Sequence, residues 1–133
     1  MKYIVTTICF LLISYCGFAQ TQAEMNDDAQ KEYEQVDKEL NKIYQQVKKN
    51  FKTDTAFTNR LTKAQKIWIQ FRNAEMDALY PDPNPMLTYG SMFTMCWYIS
   101  LKELTQQRIN TLRKWVDGEK EGNSCNGSIP FKE

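Results

Sequence analysis

From residue 22 onward, apolar side chains return every three or four positions in three separate runs. That is the period of an amphipathic helix, not of a strand. The first run is Met25, Ala29, Tyr33, Val36, Leu40, Ile43, Val47 and Phe51, and it predicts one long helix over about residues 22–50. Thr21-Gln-Ala-Glu24 opens it with a hydroxyl to accept a free N–H and a glutamate three residues on to reach back. Lys52-Thr53-Asp54 interrupts the pattern and supplies the next cap. Phe57, Leu61, Ala64, Trp68, Phe71, Ala78 and Leu79 then mark a second helix, which must stop by Tyr80 because Pro81, Pro83 and Pro85 cannot continue it.

Pro81 to Gly90 reads as a proline-stiffened connection, after which Ser91 is placed to cap a third helix. Its apolar positions are Phe93, Trp97, Leu101, Leu104, Leu112 and Trp115, and Asp117-Gly118 ends it. The remaining EKEGNSCNGSIPFKE is polar and glycine-bearing, an irregular tail. The expected fold is therefore all-α, with three long helices in an up-down-up bundle and an irregular C-terminal tail. Tyr33, Tyr44, Trp68, Phe71, Trp97 and Trp115 are expected to fill its core.

The first 19 residues do not belong to this bundle. Lys2, an apolar run from Ile4 to Ile13 and a Gly17-Phe18-Ala19 end have the form of a secretory signal, too short and wrongly flanked to span a membrane. The organisation expected is thus a signal over 1–19, a helical domain over 20–117 and a tail over 118–133. Lipid anchoring through Cys16 is disfavoured, because Tyr15 stands where such sites want a small residue. The exported chain would be periplasmic or secreted, with no membrane span after cleavage.

Charge and cysteine content narrow the chemistry. Losing Lys2 takes the basic count from 17 to 16, equal to the 16 acidic residues, so there is no electrostatic footprint for nucleic acid. The chain has no histidine, which excludes Ser-His and Cys-His catalysis and any histidine-bearing zinc site. No phosphate-cradling loop or metal-ligand spacing stands in for it, so no catalytic residue, metal or cofactor is expected. Cleavage removes Cys9 and Cys16 and leaves Cys96 and Cys125, two thiols that an oxidising compartment favours joining. From Cys96 to Trp115 a helix runs roughly 28 Å, so closure requires the tail to fold back along its own helix.

One pattern resists the simple picture. Gln65, Trp68, Arg72 and Glu75 fall within roughly 80° of one another on the second helix, on the stripe that Leu61 shares. Asp37, Asn41 and Tyr44 border the stripe of the first helix, and Thr105 and Arg108 lie in that of the third. Buried charges need partners. The expected solution is a polar layer in which Arg72 and Arg108 meet Asp37 and Glu75 while Asn41, Gln65 and Thr105 complete the hydrogen bonds. Such a layer would penalise helices that slip by a turn. The competing reading of the same residues is a polar cleft that binds a ligand or partner.

The strings TQAEMN (21–26), DxxLNxxY (37–44), AQxxWxxFRxAE (64–75), GSM (90–92) and ELTxxR (103–108) resemble the LprI-type lysozyme-inhibitor domain family of small exported bacterial proteins. The resemblance runs over about residues 21–116. It implies a helical domain of the bacterial envelope, in a family named for a member that inhibits lysozyme and whose members mostly have no established activity. The first hypothesis for this chain is a periplasmic or secreted binding protein that inhibits a lysozyme or related muramidase by occluding its cleft. The resemblance also implies that Asp37, Leu40, Asn41, Tyr44, Gln65, Trp68, Arg72, Glu75, Thr105 and Arg108 are signature positions. Many members carry cysteines where Asp28, Met76 and Ser100 stand here, so the family's usual disulfides are not available to this chain. The alternative is an envelope interaction or stress protein with no lysozyme target, in which the signature residues serve the fold. Neutral overall charge offers no global steering toward the typically basic animal lysozymes, and the oligomeric state is not written in the pattern.

Overall fold

The computed structural model describes residues 21–132, and the expected signal over 1–19 lies outside them. Three long helices dominate: α1 over Gln22–Asn50, α2 over Thr55–Leu79 and α4 over Phe93–Asp117. The fold is all-α. The first two begin as the sequence dictates. At α1 the Thr21 backbone N–H donates to Glu24 Oε2 at 2.7 Å and the Glu24 N–H donates to Thr21 Oγ1 at 3.2 Å, a complete reciprocal cap. At α2 the Phe57 N–H donates to Asp54 Oδ1 at 2.9 Å.

The connection between α2 and α4 is more ordered than a proline-rich loop. A short helix, α3, runs over Pro85–Tyr89 and passes into a 3-10 turn over Gly90–Met92. Pro85 opens α3 because a first-turn N–H has no intrahelical partner and is not missed. Ser91 does not cap α4. The 3-10 turn feeds directly into that helix, with the Phe93 N–H already donating to the Gly90 carbonyl, so no side-chain cap is required.

Contacts between helices fix their directions. Lys102 Nζ meets Glu32 Oε2 at 2.7 Å and Arg113 pairs with Glu39, so partners advance together along α1 and α4, which run parallel. Tyr44 meets Thr62 and Arg72 meets Tyr33, an antiparallel order for α1 and α2. The chain is thus compatible with up-down-up. Its packing is unequal: α1 and α4 lie close along their length, whereas the backbones of α1 and α2 hardly approach each other. Long side chains fill the wider gap.

The core is aliphatic. Leu40, Ile43 and Val47 of α1, Leu61 of α2, and Ile109 and Leu112 of α4 form one buried cluster, with Val36, Tyr44, Phe57, Trp68 and Trp115 packed on its borders. The aromatic residues expected at the centre are only half-buried, and Phe71 is 51% exposed. Their position follows from the close α1–α4 approach, which leaves room for branched aliphatics in the middle and for large rings at the seams. Phe71 sits about 100° of helix rotation from Arg72, off the inward stripe of Leu61, Gln65, Trp68, Arg72 and Met76. Leu79 shares that stripe but lies at the helix end, past the core, and is 54% exposed.

The tail curls over the C-terminal end of α4. Gly118 adopts φ 70°, and a Cβ there would lie 2.9 Å from the Pro130 carbonyl oxygen. This close approach lets the Glu119 N–H donate to Pro130 O and the Lys132 N–H donate to Glu119 O, both at 2.8 Å. The expected Cys96–Cys125 disulfide is absent: both thiols are free. The physical reason is reach. Trp115 Nε1 donates to Ser128 Oγ at 3.0 Å, which holds the tail at the end of α4 and away from Cys96, about five turns back.

Candidate functional site

Two guanidinium groups flank one indole at the middle of the bundle. Trp68 projects from the inward stripe of α2, and one turn on the same helix carries Arg72, whose guanidinium carbon is 5.3 Å from the ring centroid. Arg108 comes from α4 and stands 5.9 Å from the same centroid. Cations over an aromatic face are attracted by its quadrupole, so a single ring accommodates two like charges in the gap between helices.

The two arginines are satisfied differently. Arg72, its side chain 14% exposed, lies 3.6 Å from Asp37 Oδ1 and donates to the Tyr33 hydroxyl at 3.3 Å. Its Nε and a second terminal nitrogen donate to Asn73 Oδ1. Arg108 donates its Nε to Gln65 Oε1 at 3.0 Å. Gln65 is buried, and a neutral amide there holds the guanidinium without a second buried charge. Burial pulls the Arg108 pKa below its ordinary value. Burial likewise raises the Tyr33 phenol, so this hydroxyl stays neutral and accepts from Arg72.

Other expected members of the layer take up separate positions. Asn41 is exposed and donates to the Asp37 carbonyl and carboxylate on its own helix. It orients Asp37 and does not cross to a neighbour. Tyr44 crosses to α2, its hydroxyl donating to Thr62 Oγ1 at 3.2 Å, with Lys48 over its ring. Thr105 is fully buried, but its hydroxyl donates to the Leu101 carbonyl of the same helix at 2.7 Å. Small size let α1 and α4 close over it, and the local bond satisfies it.

Glu75 does not join the arginines. It is exposed and lines a groove between α2 and α4 opposite Glu103 and Gln107. On the helical wheel it lies about 60° from Arg72, enough to turn it from the gap to the rim. Arg108 therefore pairs with an amide where a carboxylate had been expected. Tyr33, Thr62 and Asn73 were not anticipated as partners. Tyr33 was legible only as an apolar stripe position, and nothing in spacing distinguishes a ring that packs from one whose hydroxyl also bonds.

No group of three or more acidic or thiol side chains among the described residues could hold a metal, and Asp37, the carboxylate nearest Arg72, is engaged by Asn41 as well. No helix among the described residues is long and apolar enough to cross a membrane. Nothing among curated proteins or solved structures matches this chain. Residues 16–112 match the family described as Lysozyme inhibitor LprI, a span that contains every member of the arginine-indole layer, and the chain belongs to that family.

Proposed function

We propose that the chain is an exported bacterial envelope protein, periplasmic or secreted, whose domain over 20–117 inhibits a lysozyme or related muramidase by occluding its cleft. It is not an enzyme in this reading and needs no cofactor. Family membership carries the proposal, and the end of the bundle bearing α3 supplies a suitable contact. Leu87 on α3 is 85% exposed, beside Met86 at 53% and Leu79 at 54%. Such an apolar prominence on a short, braced helix is a natural plug for a sugar-binding cleft.

The charge around this tip is one-sided. Inhibition by exposed arginine or lysine beside the connection would place donors on the two carboxyl groups of a muramidase, yet residues 73–101 contain neither. Glu75, Asp77 and Asp82 are there instead. A locally acidic rim around an apolar tip favours encounter with a basic enzyme even though the whole chain is neutral. The test is a lysozyme activity assay over a range of salt concentrations, with the wild-type protein and Leu87→Glu. Inhibition should weaken with salt and drop by at least about tenfold in the variant, as for loss of an interface anchor. No inhibition at micromolar protein would remove the lysozyme reading for that enzyme, and equal inhibition by the variant would remove the tip.

A second reading draws on the arginine-indole layer. Gln65 and Thr105 are buried, and two guanidinium groups stand over the Trp68 ring, which supports a role in the fold for these signature residues. An envelope interaction protein with no lysozyme target would retain them equally.

A further inference from the structure

At the end of the bundle opposite α3, the first turns of α2, the last turns of α4 and the returning tail enclose an open cavity of about 450 Å³. That volume suits a small molecule. Phe57, Leu61 and Trp115 give it apolar, largely aromatic walls, and Ser128 of the tail closes one side. The Trp115–Ser128 hydrogen bond holds that side in place.

Its electrostatics are unbalanced. Arg60 and Arg108 both line it, and neither has a carboxylate within salt-bridge distance among the described residues. Arg108 uses Nε on Gln65, and its terminal nitrogens have no hydrogen-bond partner among the described residues. Neither of those nitrogens is sealed from solvent without a partner. The acid on the rim, Asp54, is occupied in capping α2 through the Phe57 N–H. A half-buried guanidinium with its planar fork free, set beside aromatic walls, matches a flat carboxylate.

We propose that this cavity binds a small aromatic carboxylate, its ring between Phe57 and Trp115 and its charge on the free face of Arg108, with Arg60 adding attraction at the mouth. This activity is independent of the lysozyme reading, because it uses the opposite end of the molecule. Isothermal titration of the purified protein with naphthoate, and with the uncharged naphthamide of the same ring body, tests it. Naphthoate should bind one-to-one and at least about tenfold more tightly than naphthamide. Arg60→Glu, at an exposed position outside the buried layer, should weaken naphthoate by about tenfold. Ala64→Trp, which places a ring in the cavity from an exposed site, should abolish binding while leaving the melting temperature unchanged. Equal affinity for the two compounds, undiminished binding in Ala64→Trp, or no heat at millimolar naphthoate would each overturn the proposal.

Discussion

Arg108 shows how one side chain can bind two helices together without an ion pair. Its Nε reaches Gln65 and its guanidinium carbon stands over the Trp68 ring, so truncation removes a charged hydrogen bond and leaves a buried amide oxygen unsatisfied. Arg108→Ala should lose about 2–4 kcal/mol in urea denaturation. Arg108→Lys should recover only part of this, because an ammonium offers neither the spread of N–H donors nor the same reach. Glu75→Gln, at an exposed side chain outside the layer, should stay within about 0.5 kcal/mol of wild type. That contrast separates two residues that the linear pattern placed together. Helical spacing located the inward stripe of α2 to within one position, but an uncertainty of about 60° decides whether a carboxylate faces a gap or a rim. Crossing partners such as Thr62 and Tyr33 were illegible for a further reason, since they depend on how far apart two helices settle.

At the level of elements, caps and stops were legible because their chemistry is local. Thr21–Glu24, Asp54 and Gly118 work through neighbours within a few residues. The first has a pH signature. The Glu24 carboxylate accepts from the Thr21 backbone N–H and hydroxyl, which hold its pKa below the usual carboxylate value of 4.5. A pKa depressed in the folded state means that the cap's contribution is fully present above the unfolded value and is lost as pH falls through the folded one. Amide protection in the first turn of α1, taken relative to the intrinsic exchange rate at each pH, should therefore fall on acidification below about pH 4.5, and Glu24→Gln should remove most of this dependence. Gly118 makes a different prediction. Its φ of 70° and the 2.9 Å approach to Pro130 O leave no room for a methyl group, so Gly118→Ala should release the tail, seen as faster proteolysis after residue 118 with the α4 helix retained. The α3 helix and the position of Cys125 were not legible, because each is set by packing at the end of the bundle and not by its own residues.

For the whole molecule, the unequal packing of the three helices sets the order of their stability. The second helix approaches α4 less closely than α1 does and touches α1 through long side chains. Sub-global opening should detach it first, giving lower amide protection over 55–79 than over the buried centres of α1 and α4. Equal protection in all three would show the gap to be as well sealed as the close pair. The bundle itself could be anticipated from three amphipathic runs, but which pair would close tightly could not. That choice rests on small residues such as Thr105 and on cross-helix ion pairs between residues 70 or more apart in sequence.

That separation has a consequence for the chain as it is made. The principal interface joins its first helix to its last, so a nascent polypeptide ending near residue 90 holds two helices with little to grip. Such an intermediate stays threadable until the final third of the sequence emerges, as the proposed export across a bilayer would require.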